Sequence, residues 1–129
     1  MGVALQVYKR GRLCVIAKLV WAEPLGELVL AMPYRNRQAV NVVSLPVDVL
    51  AYARRQGAQL WVVRMDKRGA CYALPLRDVE RCGWLWQGEW FVALSRFERI
   101  TWQDWPFVEQ KLVFGDKPAK QLTLGLEYA

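Results

Sequence analysis

Glu109-Gln110-Lys111 is one place in this 129-residue chain where an acid and a lysine have a spacing that could do chemistry. On an extended strand the two side chains project from one face, so the carboxylate could hold a divalent cation while the lysine helps organise an attacking water. That is the (D/E)xK arrangement of a metal-dependent nuclease. A second acid is required, and Asp104, Glu98 or Asp78 could supply it. The proline-aspartate companion expected of such a site is missing, and alternating Glu and Lys on a strand more often make a solvated face, so the nuclease reading is a minor alternative. Asp66-Lys67, at the end of another apolar run, is better explained as a turn aspartate capping its own loop.

Other chemistry is excluded more firmly. The chain has no histidine, which removes Ser-His-acid and Cys-His arrangements, HExxH zinc sites and histidine acid/base catalysis. It also lacks GxxxxGK[ST] and GxGxxG, the loops that cradle phosphates and dinucleotides. Cys14, Cys71 and Cys82 have no CxxC spacing and are odd in number, so they read as reduced, buried thiols. The expectation is a non-enzymatic protein with no catalytic residues, cofactor or metal.

The elements that would carry any site fit one domain over residues 1–129. No stretch approaches the roughly 18 apolar residues of a membrane span, and MGVALQVYKRGR does not read as a signal peptide, so a soluble cytoplasmic protein without membrane contact is expected.

Charge is the strongest pointer to a partner. The net charge is +6, and residues 1–68 hold eleven Lys/Arg against four Asp/Glu, whereas residues 69–115 hold five against six. Such asymmetry suits a polyanionic partner, DNA or RNA. Lys9-Arg10-Gly11-Arg12 and Arg35-Asn36-Arg37 each separate two apolar runs and read as hairpin loops, and Asp66-Lys67-Arg68-Gly69 as a third. The intervening turn, Glu23-Pro24-Leu25-Gly26-Glu27, is acidic. In a meander, alternate turns share an end, which predicts a sheet with one basic pole.

A helix is predicted over about 46–56, with Pro46 near its first turn and Gly57 as its stop. If it crosses back over the sheet, Arg54 and Arg55 join the basic loops, although arginines in a last helical turn also suit the helix dipole. The candidate nucleic-acid-binding residues are therefore Lys9, Arg10, Arg12, Arg35, Arg37, Arg54, Arg55, Lys67 and Arg68, with Tyr8, Tyr34 or Trp61 as stacking aromatics.

Five of the seven tryptophans fall between Trp84 and Trp105, outside the basic half. GWLWQGEWFVAL reads as a hairpin whose Gln87-Gly88 loop sets Trp86 opposite Glu89, Leu85 opposite Trp90 and Trp84 opposite Phe91. Both faces would be apolar, so either the hairpin is covered on both sides by the domain or one face is a binding surface. The cluster reads as core or as a protein interface, and a protein-interaction module, such as a small regulator, inhibitor or assembly subunit, is the alternative function. Leu76 to Cys82 suggests a short helix stopped by Gly83. Ser95 with Glu98, and Thr101 with Asp104, have capping-box spacing. Residues 116–129, with Leu122, Leu124, Leu126 and Tyr128 alternating, suggest a C-terminal strand that docks on its own domain or on a second copy. The fold class expected is α+β, a mainly antiparallel curved sheet or half-barrel packed on one clear helix with one or two short ones.

Overall fold

Runs such as Glu27–Met32 and Leu60–Arg64 are apolar with little polar interruption, the pattern of strands covered on both faces. They form the centre of the fold. The structure, a computed structural model, describes residues 2–9, 11–33, 41–65, 70–102 and 105–106, with Lys9 by its backbone alone. Strands dominate and two short α-helices accompany them, a mixed α+β architecture.

The larger sheet has six strands. These are β1 (Gly2–Lys9), β2 (Arg12–Ala22), β3 (Glu27–Met32), β5 (Leu60–Arg64), β6 (Cys71–Pro75) and β9 (Glu98–Ile100), adjacent in that order. All neighbours are antiparallel except β3 and β5, which run parallel. A parallel pair requires a crossover, and the chain supplies it with β4 (Val42–Pro46) and helix α1 (Val47–Arg55). The smaller sheet orders β4, then β8 (Glu89–Ala93), then β7 (Gly83–Trp86). The strands thus divide into two sheets rather than one, and neither closes into a barrel.

This arrangement corrects the reading of Arg35-Asn36-Arg37 as a hairpin loop. β3 pairs with β2 and β5, while β4 pairs with β8 in the other sheet, so the segment between them connects two layers.

Alternation along the central strands divides the interior. Leu30, Met32, Trp61, Val63 and Leu74 face a core completed by Leu45 and Val92 of the smaller sheet and by Val49, Leu50 and Ala53 of α1. Val29, Ala31, Val62, Cys71 and Ala73 face the other way, where Trp102 and Trp105 cover them. The two indoles meet edge to face, with centroids 5.1 Å apart. A bulge in β2 shifts the pairing from Leu5–Ala17 to Gln6–Val15. Its extra residue, Ile16, therefore joins Ala17 in the first core.

Helix α1 ends where Gly57 was expected to stop it, with Gln56 as its C-cap. Pro46 provides the entry without any side-chain cap. After β6, a 3-10 turn at Leu76–Asp78 leads into α2 (Val79–Cys82). Gly83 ends α2 in an extended conformation, so it does not act as a left-handed cap. Its need is space: a Cβ there would collide with the Phe91 carbonyl and with Val92. Ser95 lies inside a 3-10 turn, Leu94–Arg96, and Glu98 begins β9, so their capping-box spacing caps no α-helix. Among the described residues, no helix is long and apolar enough to cross a membrane.

Candidate nucleic-acid interface and aromatic surface

Strand direction decides which loops meet. The C-terminal ends of β1, β3 and β5 and the N-terminal ends of β2 and β6 lie at one end of the larger sheet. Each basic segment of the N-terminal half begins at one of those strand ends. Lys9 is opposite Arg12, Met32 precedes the Arg35–Arg37 segment, and Arg64 opposite Cys71 closes onto the Lys67-Arg68 turn. Arg64, the last residue of β5, adds a cation at this end that lies outside the turn segments named from the sequence. The side chain of Lys9, together with Tyr34, Arg10, Arg35, Arg37, Lys67 and Arg68, lies outside the described residues.

The β1–β2 hairpin extends this end outward. Pairing of β2 with β3 stops at Lys18, while pairing with β1 continues to Arg12, about 20 Å further at roughly 3.3 Å per residue. On this arm Arg12 is exposed and Tyr8 is 76% exposed. Tyr8 pairs with Leu13 and Arg12 with Lys9, so the exposed ring and Arg12 are neighbours along the arm but belong to alternate faces of it. Trp61 is different: it is fully buried, its indole N–H directed to Met32 Sδ at 2.8 Å and its ring edge-on to Phe97. Its candidacy as a stacking residue is overturned by burial on the core face of β5.

Arg54 and Arg55 do not reach the basic end. The chain passes from α1 through four residues to the start of β5, at the sheet's opposite end. There Arg54 donates to both carboxylate oxygens of Glu80 at 2.5 Å and to the Leu76 carbonyl at 2.6 Å. The paired hydrogen bonds raise the Arg54 pKa and hold the Glu80 carboxyl below its ordinary range. Arg55 lies over the Tyr52 ring, 5.8 Å from its centroid. Arg81 pairs with Asp78 at 3.1 Å, and Glu23 and Glu27 flank the β2–β3 turn at this same end. Cations and acids are mixed here.

The tryptophan cluster splits. Trp102 and Trp105 are core, and Trp90 packs against the first core from its margin. The hairpin register is as expected, with Trp84 opposite Phe91, Leu85 opposite Trp90 and Trp86 opposite Glu89. Gln87 and Gly88 both take positive φ, 47° and 77°, the twist a two-residue hairpin loop requires. Trp84 stacks on Phe91 with centroids 5.8 Å apart, and Trp86 leans on the same ring at 6.1 Å. Trp84 and Trp86 are 49% and 59% exposed. No lysine or arginine occurs on β7 or β8.

The nuclease candidates do not assemble within the described residues. Glu109, Lys111 and Asp104 lie outside them, as does the C-terminal segment 116–129, while Glu98 is exposed on β9 and Asp78 is engaged by Arg81. No family model, curated protein or solved structure matches the chain.

Proposed function

We propose that this protein is a small non-enzymatic nucleic-acid-binding domain that contacts phosphates through the basic end of its six-stranded sheet. One observation carries the reading: strand direction gathers the flanks of three basic segments at one end, while the β2–β3 acids lie at the other. Phosphate contacts need clustered cations, and Tyr8 on the projecting hairpin offers a ring on which a base can stack. Lys9, Arg10, Arg12, Arg35, Arg37, Lys67 and Arg68 are the proposed contacts. Arg54 and Arg55 are left out because of their position.

The test is titration of labelled single- and double-stranded DNA and RNA at about 50 and 200 mM salt, where counterion release makes phosphate binding weaken steeply. No binding at the lower salt rejects the proposal. Combined replacement of Arg10, Arg12, Arg35 and Arg37 by alanine is expected to reduce affinity for all sequences alike.

A second reading, a protein-interaction module, is favoured by the exposed Trp84–Phe91–Trp86 cluster. Without a cation on either strand, those rings suit a protein surface better than a phosphate backbone.

A further inference from the structure

β7 leaves both faces and one edge uncovered among the described residues. It is the outer strand of the smaller sheet, and its three large side chains, Trp84, Leu85 and Trp86, are all about half exposed. Leu85 is the informative one. It shares a face with Trp90 and Val92, the side that packs on the core, yet it remains 55% exposed. The strand overhangs the core it should help to cover.

Backbone geometry defines what can pair there. In a two-residue hairpin the residues flanking the loop, Trp86 and Glu89, exchange both hydrogen bonds, so Leu85 opposite Trp90 occupies a non-hydrogen-bonded site. Its N–H and C=O therefore point outward, towards the edge that is unpaired among the described residues. Such an edge is a template for another strand.

We infer that β7 pairs antiparallel with β7 of a second copy, about a twofold axis at Leu85, joining the two smaller sheets into one of six strands. In that register Leu85 exchanges both backbone bonds with Leu85 of the other copy, and Trp84 lies across from Trp86 on the opposite face. The surface is self-complementary, as an isologous contact requires. Charge also selects this occupant. The chain is strongly basic, but β7 has no ionisable side chain and β8 has only Glu89, so two copies meet here without repulsion. An acidic partner would find no cation to pair with on these strands.

The inference deepens the protein-interaction reading and is independent of nucleic-acid binding. The three side chains expose on the order of 350 Å² per copy, below the ~800 Å² per partner of a standard interface. Association is therefore concentration-dependent.

Sedimentation of the full-length protein from about 10 μM to about 1 mM tests it, in the range where an interface of less than standard size associates. The mass is expected to rise from monomer towards dimer, and a monomer throughout overturns the pairing. Leu85→Glu and Leu85→Lys are each expected to weaken association by about tenfold or more, since like charges would meet on the axis. An equimolar mixture of the two variants is expected to recover the dimer, because Glu then faces Lys. Recovery on mixing excludes loss of folding as the cause, and failure to recover with both variants folded by circular dichroism overturns the twofold register. A dimer unaffected by Leu85→Glu overturns this edge as the site while leaving a protein contact elsewhere on the molecule.

Discussion

Arg54 on α1 holds Glu80 on α2 through two guanidinium nitrogens, each 2.5 Å from a carboxylate oxygen, and the same side chain donates to the Leu76 carbonyl. A residue whose charge suggested a ligand thus fastens the crossover helix to the segment that follows β6. Both partners are more than a third exposed, so solvent screening keeps the contribution modest.

Arg54→Ala is expected to destabilise the fold by about 1 kcal/mol, combining a screened ion pair with a lost bond to a carbonyl. Chemical denaturation measures this. Nucleic-acid affinity is expected to stay unchanged, as it is for Arg55→Ala.

The same pair gives a pH dependence. Because the Arg54 contact lowers the Glu80 pKa in the folded state, its contribution is fully present above the unfolded carboxylate value and disappears as pH falls through the folded value. The stability difference between wild type and Glu80→Gln is therefore expected to be present at neutral pH and to shrink in acid. Denaturation of both proteins across the acidic range measures it.

Gly83→Ala is expected to cost about 1–3 kcal/mol, the range of overpacking a filled site. The Phe91 carbonyl stands in the way of the new methyl group, and backbone yields less readily than a side-chain tip. A lower denaturation midpoint for this variant checks it.

Two tryptophans are expected to behave oppositely. Trp61→Ala empties a fully buried site and is expected to cost about 3–5 kcal/mol. Trp86→Ala is expected to change monomer stability by less than about 1 kcal/mol, while removing indole fluorescence that acrylamide quenches readily.

On the projecting hairpin, Arg12→Ala is expected to weaken nucleic-acid binding uniformly across sequences and to reduce the salt slope by about one. Tyr8→Ala is expected to cost about 1–3 kcal/mol on single strands with little change in slope, since stacking releases no counterion. Titration at several salt concentrations separates the two effects.

Local signals were legible where a short loop or an element boundary fixed the geometry. The Gln87-Gly88 loop permits one tight register, so the pairing of Trp84 with Phe91 followed from counting residues. Pro46 and Gly57 likewise bracketed α1, because proline lacks the N–H a helix interior uses and Gly57 readily takes the positive φ, 90°, just past the C-cap. Arg35-Asn36-Arg37 was misread for the complementary reason. A turn signal shows that the chain changes direction, but not whether the following strand returns to the same sheet.

Composition and spacing by themselves determined the absence of histidine chemistry, the concentration of positive charge in the N-terminal half, and the alternation that fills the hairpin with rings. These depend only on residue type and distance along the chain. The tertiary structure alone decided that Trp61 is buried while Trp86 is exposed, that Arg54 is spent on Glu80, and that the flanks of three basic segments share one end of a sheet. The physical reason is that exposure and charge clustering depend on which strands lie side by side and in which direction. The parallel β3–β5 pair, made possible by the α1 crossover, set the shared end of the basic segments, and the outer position of β7 in the smaller sheet set the exposure of Trp86.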